Sequence, residues 1–212
     1  MESGLTTEYA QYLQRLNNIV YTELVPKLAL VDFFTAHAYK REPDLTSKEP
    51  LIWYIQSGLL SDITFSLHRL VDCGGNSKGQ PTRSIRHFLS YTKENIAAIE
   101  WKKPLTLPDI YRHKAALRSV KDEIARLEKR RNKFFAHYDD EFFFNPDKLD
   151  QDYPFTNEDA GTLVRTFQRI LSDHNWAFAG KGLISMEHVV YVAAESLFER
   201  MLSDRRERKR GE

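Results

Sequence analysis

Apolar residues recur every three or four positions through almost the whole chain, and the alternation typical of β-strands is nearly absent. This spacing places the apolar side chains on one face of each helix, where another helix must cover them. Pro26 either kinks the first helix or separates it from a second helical stretch, residues 27–42. The pattern predicts an all-α protein.

Glycine, proline and capping residues divide the rest of the pattern into segments. A second long helix begins near Pro50 and stops at the glycine-rich stretch "CGGNSKGQP". Thr82 or Ser84 can then cap the first turn of a shorter helix. The helical segments predicted after that stretch are 82–101, 108–138, 157–177 and 186–206.

The length and apolar content of the chain bound its organisation. With 212 residues and 42% hydrophobic content, the chain can bury one sizeable core. We expect one domain over residues 1–212, an elongated antiparallel bundle of about six helices, with a disordered basic tail at 204–212. The 10 Tyr, 13 Phe and 3 Trp give a slender bundle more apolar surface than its own core covers, which favours a homodimer.

Charge, cysteine content and hydropathy limit the setting in which the chain works. The 31 Lys and Arg nearly balance the 30 Asp and Glu, so any attraction for a polyanion must be local. Cys73 is the only cysteine, which excludes an internal disulfide and a cysteine-based zinc site. No uncharged apolar run reaches the roughly 20 residues that span a bilayer, and no signal-peptide pattern is present. We expect a cytoplasmic protein that does not contact a membrane.

One charged residue lies where the longest helical segment should be apolar. The stripe of that segment consists of Leu117, Val120, Ile124, Leu127, Arg131, Phe134 and Tyr138. Arg131 falls near the centre of this arc, and burying its permanently charged guanidinium without a partner would cost several kcal/mol. Its partner is either a carboxylate of the second helix, with Asp62 and Asp72 as candidates, or a bound phosphate.

The neighbours of Arg131 favour the phosphate. Arg130 and Lys133 add positive charge, Asn132 adds hydrogen-bonding groups, and His137 can take and give a proton near neutral pH. Cleavage of RNA needs a base that activates the ribose 2′-hydroxyl and a cation that stabilises charge on phosphorus, a task that suits arginine. These residue types predict a metal-independent phosphodiester site with Arg131, Asn132 and His137 as catalytic residues. Arg130 and Lys133 are the expected RNA contacts.

Helix geometry leaves the pairing of these groups open. On an ideal helix, His137 points roughly 120° away from Arg131 but only about 20° from Arg130. Either the helix unwinds near Phe135 and Ala136, or Arg130 is the partner of His137, or the two groups meet across a dimer axis.

The segment "RRNKFFAHYD" resembles the signature of HEPN domains, which are helical bundles with an Arg, a polar residue that is often Asn, and a His after a short gap. Arg131, Asn132 and His137 match it with five intervening residues. From about Leu51 to Leu171 the order of segments is similar to the abortive-infection AbiU-type branch. It begins with "SDITFSLHRLVD" and a glycine-rich loop, and ends with an aromatic stretch and "FTNEDAGTLVRTFQRIL".

The resemblance implies a dimer in which two Arg–His pairs line one cleft. Active members are metal-independent RNA endonucleases of phage defence or toxin–antitoxin systems, and an antitoxin or regulatory partner is then expected. By this resemblance His137 is the general base or acid, Arg131 contacts the phosphate, and Asn132 orients the reacting groups. Members silenced by nucleotidylation carry a tyrosine two residues after the His, where this chain has Asp139, so we do not expect that control.

Many HEPN domains lack catalysis, which leaves two other hypotheses. The first is a non-catalytic module that binds nucleotide, RNA or a partner protein, with Arg131 held by an acid of the same fold. The second is a purely structural assembly protein.

Other polar residues are weaker candidates. His68 and Asp72 stand four apart on one helix and either support the site or form a structural link, and Asp139 completes the supporting set. The remaining histidines are expected at the surface or boundary: His37, His87, His113, His174 and His188. The glycine-rich stretch lacks the spacing of a phosphate-binding loop. We expect no metal and no cofactor.

Overall fold

The computed structural model describes residues 4–41, 50–71, 83–132, 148 and 151–211. Within these ranges every regular element is a helix, which confirms the all-α bundle. Its helices are α1 (Gly4–Asn17), α2 (Val25–Asp32), α3 (Tyr39–Arg41), α4 (Pro50–Val71), α5 (Ile85–Asn95), α6 (Leu107–Ser119), α7 (Lys121–Arg130), α8 (Asn157–Ala179) and α9 (Glu187–Gly211). In the part of the chain described here, no helix is long and apolar enough to cross a membrane.

Pro26 does not end the first helix. Two π-helical segments, Asn18–Leu24 and Phe33–Ala38, join α1 to α2 and α2 to α3. Proline has no N–H to donate to the carbonyl four residues back, and the wider winding before it accommodates the missing bond. The backbone at Val25 stays right-handed helical. Residues 4–41 therefore form one continuous rod.

Side-chain caps set the starts of the helices. Ser84 Oγ accepts a hydrogen bond from the His87 N–H at 3.4 Å, so Ser84 is the cap of α5. Thr156 begins α8 with a reciprocal capping box in which Asp159 is its partner. An equivalent box forms between Thr106 and Asp109 at the start of α6.

One predicted helix ends early and another is interrupted, because side chains at these places compete for backbone groups. α5 stops at Asn95, whose Nδ2 donates to the Tyr91 carbonyl at 2.9 Å. The segment predicted from 108 to 138 breaks at Val120, where φ is −108° and ψ is 24°. Just before that break, Ser119 Oγ donates to the Ala116 carbonyl at 2.8 Å.

The last helix, in contrast, is longer than predicted. α9 continues through Gly211, whereas the sequence predicts a disordered tail from residue 204. Arg, Glu and Lys are strong helix formers, so the charged run extends a helix that is already nucleated.

One buried cluster runs through the rod, α4, α5, α6, α7 and α8. It contains the four described apolar members of the stripe, Leu117, Val120, Ile124 and Leu127, as predicted. A second cluster of Phe33, Ala194, Phe198 and Leu202 packs α9 against the rod. Burial of the stripe fixes the rotation of α7 about its axis, and with it the position from which Arg131 extends.

Candidate functional site

α7 is the element that positions the candidate site. It buries Ile124 and Leu127 against the core, and α4 and α8 both pack against it. Its first turn carries acids and its last turn carries Lys129 and Arg130, the order that the helix dipole favours. The helix therefore accumulates positive charge at its C-terminal end, where Arg131 follows.

Arg131 lies half-buried at that end, with φ of −58° and ψ of −47°. Its Nη1 donates a hydrogen bond to Oδ1 of Asn132 at 2.9 Å. A guanidinium has five N–H donors, and a neutral amide does not cancel its charge. In the described part of the chain no carboxylate pairs with Arg131, and the side chain is less buried than its place on the stripe predicts.

The winding of the chain changes at these two residues from α-helical to π-helical. A wider turn alters the angle between successive side chains, so the angles of an ideal α-helix no longer apply at Arg131 and Asn132. The change begins four residues before Phe135. Unwinding near Phe135 and Ala136 is one of the three predicted ways for the arginine and the histidine to meet.

Asp62 is not the partner of Arg131. Its carboxylate forms an ion pair with Lys27 of α2, which belongs to the rod. Of the two candidate carboxylates, Asp62 is therefore excluded, because the packing of α4 against α2 pairs it with Lys27. Asp72, the other candidate, lies outside the described residues.

Arg130 contacts the chain that leads into α8. Its Nη1 donates to the carbonyl of Tyr153 at 3.5 Å, and the nearby Phe155 packs against the main core cluster. Arg130 thus fastens this segment to the end of α7. The adjacent Arg131 makes no such contact within the described residues.

A charged pair that the sequence reasoning missed joins α7 to α8. Arg126 Nη2 lies 2.6 Å from Oδ1 of Asp159, and 3.6 Å from Oε1 of Glu123. The hydrogen bond that Arg126 donates to Asp159 is the main reason that the pKa of Arg126 is raised. Burial raises the pKa of Asp159, but hydrogen bonds from Arg126 and Thr156 more than offset this and hold it below its usual value. Only the capping pattern at Thr156 pointed to this carboxylate.

The structure describes half of the predicted site. Arg130, Arg131, Asn132 and His68 are described, and Lys133, His137, Asp72 and Asp139 lie outside the described residues. Arg131 and Asn132 are in contact, and His68 is half-buried on α4, the helix that packs against α7. The roles assigned to all eight residues stay predictions.

Two histidines predicted at the surface or its boundary are buried. His174 is 0% exposed and lies 2.8 Å from the Tyr9 hydroxyl through Nδ1, while His113 is 3% exposed and lies 2.9 Å from Asp173 through Nε2. The two rings are 5.1 Å apart. They escaped the sequence reasoning because neither stands in a ligand spacing, and helical periodicity does not separate a buried polar residue from an exposed one.

The environment of His174 disfavours its charged form. Burial lowers the pKa of His174 well below the usual 6.5, and the nearby His113 lowers it further. Within the described chain, neither His174 Nε2 nor His113 Nδ1 has a hydrogen-bond partner. Among the same residues, no group of three or more His, Cys, Asp or Glu side chains is arranged to hold a metal ion.

Comparison of the sequence with known families gives a match that covers most of the chain. The family model HEPN_AbiU2, described as AbiU2, matches residues 6–200. The match extends beyond the stretch from about Leu51 to Leu171 that resembles this branch by sequence, and it includes the rod, Arg131 and the first half of α9. No curated protein and no solved structure matches the chain.

Proposed function

The chain belongs to the AbiU2 family of HEPN domains, and from this membership we propose that it is a metal-independent endoribonuclease of an abortive-infection or toxin–antitoxin system. In this proposal Arg131 and Asn132 bind the phosphate to be cleaved, and His137 transfers the protons. Arg130 and Lys133 contact the RNA on either side.

The observation that carries the proposal is the state of the Arg131 guanidinium. It is half-buried, its described hydrogen bond goes to a neutral amide 2.9 Å away, and no described carboxylate cancels its charge. Arg126, five residues earlier, is paired with Asp159 and serves the fold instead. An uncompensated, partly desolvated arginine is the form that stabilises a phosphate most strongly.

The chemistry follows from these groups. His137 as a base takes the proton from a ribose 2′-hydroxyl, and the 2′-oxygen then attacks the adjacent phosphorus. The bond to the 5′-oxygen breaks, that oxygen receives a proton, and the products are a 2′,3′-cyclic phosphate and a 5′-hydroxyl. The additional negative charge on the phosphate in the transition state lies next to Arg131, which stabilises it more than it stabilises the ground state.

The test compares RNA cleavage by the wild type, His137→Ala and Arg131→Ala in the presence of a chelator. Lys129→Ala is the matched control, because Lys129 is an exposed cation two residues away on the same helix. We expect cleavage by the wild type and the control, and none by the other two variants. Equal activity in all four folded proteins would show a contaminant and would leave the non-catalytic binding module as the better reading.

We also propose that the active form is a homodimer. α9 exposes Val189, Val192 and Leu197, and α4 exposes Leu51 and Tyr54, and in each case about half or more of the side chain is accessible. Apolar surface of this kind on two long helices is commonly covered by a second copy. A twofold axis would also bring the Arg–His groups of two chains into one cleft, and a regulatory partner or antitoxin would act by covering that cleft.

A further inference from the structure

A groove between α5 and α6 lies apart from the candidate site. It has a volume of about 290 Å³ and is lined by Arg86, Ser90, Lys114, Leu117, Arg118 and Lys121. The helices run antiparallel there, because Lys114 Nζ donates to Ser90 Oγ at 3.3 Å while Lys93, further along α5, lies over the ring of Tyr111, earlier on α6. The last lining residue, Lys121, is the first residue of α7.

The groove concentrates positive charge in a chain that is otherwise nearly neutral. Four of its six described lining residues are cations and none is a carboxylate. Arg86, Arg118 and Lys121 are exposed, and Lys114 is half-buried. Like charges along one groove repel each other, and an anionic ligand relieves this repulsion. The charge therefore indicates a ligand with several negative groups.

Tyr111 indicates which polyanion this is. It is 50% exposed and stands three and seven residues before Lys114 and Arg118, which places all three on one face of α6. Its ring centroid is 5.3 Å from Lys93 Nζ. A row of cations that leads to an exposed aromatic ring is the arrangement that binds single-stranded nucleic acid, since phosphates follow the cations and a base stacks on the ring. A free phosphate or a poly-glutamate chain has no aromatic group that could stack on the ring.

α7 joins the groove to the candidate site along the chain. α7 begins at Lys121 and is followed by Arg131, so its 10 residues span about 15 Å between them. A strand of a few nucleotides can cover that distance.

We propose that this groove binds single-stranded RNA, with phosphates along Lys114, Arg118 and Lys121 and a base stacked on Tyr111. The inference rests on the proposed function for RNA as the ligand, and it adds a second contact surface about 15 Å from Arg131. Its role is to hold the substrate chain while one phosphodiester lies at the candidate site.

The test measures binding of a fluorescent oligouridine by anisotropy over a series of salt concentrations. All proteins carry His137→Ala, so that no RNA is cut during the measurement. Arg118→Gln/Lys121→Gln should weaken binding about tenfold and lower the salt slope by about 1.4, which is about 0.7 for each lost phosphate contact. Tyr111→Ala should weaken binding on the order of tenfold without changing the slope. The charge-matched control is Arg169→Gln/Lys181→Gln, two exposed cations of α8 and the loop after it.

Each outcome decides between explanations. Unchanged affinity and slope in the Arg118→Gln/Lys121→Gln protein would overturn the inference, as would an equal loss in the control. Competition by a poly-glutamate peptide as effective as competition by RNA would also overturn it, because the groove would then be an acidic-protein surface. Absence of cleavage by the wild type, with groove-dependent binding intact, would reject the proposed function and leave this inference standing.

Discussion

Arg126 and Arg131 lie five positions apart at one end of the bundle, and their surroundings give them different tasks. Arg126 Nη2 lies 2.6 Å from Oδ1 of Asp159, and the carboxylate neutralises its charge. Arg131 donates to the Asn132 amide, and no carboxylate among the described residues pairs with it. The same side chain is therefore structural in one place and a candidate phosphate ligand in the other.

This contrast predicts opposite effects of substitution at the two arginines. Arg131→Lys should reduce RNA cleavage by about 100- to 1,000-fold with little change in stability, because lysine cannot donate two parallel hydrogen bonds to a phosphate. Arg126→Lys should leave the cleavage rate within about twofold of wild type while lowering the unfolding midpoint. Single-turnover kinetics and urea denaturation measure the two effects. A similar loss of cleavage in both variants would contradict the different roles.

His174 adds a pH-dependent term to the stability of the fold. Its pKa in the folded protein is lowered by burial, so the unfolded chain, with a pKa near 6.5, binds a proton that the folded chain does not. The contribution of His174 to the free energy of unfolding is thus fully present above pH 6.5 and decreases as the pH falls below it.

We expect the free energy of unfolding to fall by about 1.4 kcal/mol per pH unit below that point for this one proton. His174→Gln keeps an acceptor for the Tyr9 hydroxyl and should remove this part of the slope between pH 6.5 and 5. Urea titrations at several pH values measure it, with the exposed His188→Gln as the control. An identical slope in wild type and His174→Gln would show that His174 is not the group responsible.

At the level of elements, the start of α8 is the joint that holds the end of α7 in place. Asp159 closes the capping box with Thr156 and accepts from Arg126 of α7. Arg130 adds a bond to Tyr153 just before that cap. The candidate site therefore depends on a helix terminus as well as on the apolar stripe.

Substitutions at this joint should differ in cost. Thr156→Ala should lower the free energy of unfolding by about 1 kcal/mol, because it removes the cap alone. Asp159→Ala should lower it by about 2 kcal/mol, since it removes the reciprocal cap and the partner of Arg126 together. Glu158→Ala, at an exposed acid of the same turn, is the control for charge. Chemical denaturation measures these free energies. Equal losses for Asp159→Ala and Glu158→Ala would show that Asp159 does not stabilise the contact between α7 and α8.

Across the described surface of the molecule, cationic and apolar residues cluster in different places. The net charge is +1, yet cations gather in the groove between α5 and α6 and at the end of α7. Apolar residues gather on the exposed faces of α4 and α9. An RNA strand is proposed above for the first surfaces and another copy of the chain for the second.

The proposed dimer has a direct test. Light scattering coupled to size exclusion should give a mass of about twice 24.8 kDa for the wild type. Val192→Lys/Leu197→Lys should shift it to the monomer at the same concentration, because the added charges oppose burial of α9. Gln11→Lys/Gln14→Lys adds the same charge on exposed positions of α1 and should remain dimeric. A monomeric wild type at high concentration would reject the dimer.

The sequence by itself determined the helical class, most helix starts and the buried stripe of α6 and α7. These features follow from local rules, because the spacing of apolar residues and the caps at Ser84 and Thr156 act within a few positions. The pattern of Arg131, Asn132 and His137 also pointed to the HEPN family, whose AbiU2 model matches residues 6–200.

Tertiary structure alone decided which charges meet. The pairing of Asp62 with Lys27, of Arg126 with Asp159 and the burial of His113 and His174 depend on which helices pack together. Periodicity fixes which face of a helix is buried, but the partner of a polar group on that face lies far away in sequence, and only the packed bundle brings the two together.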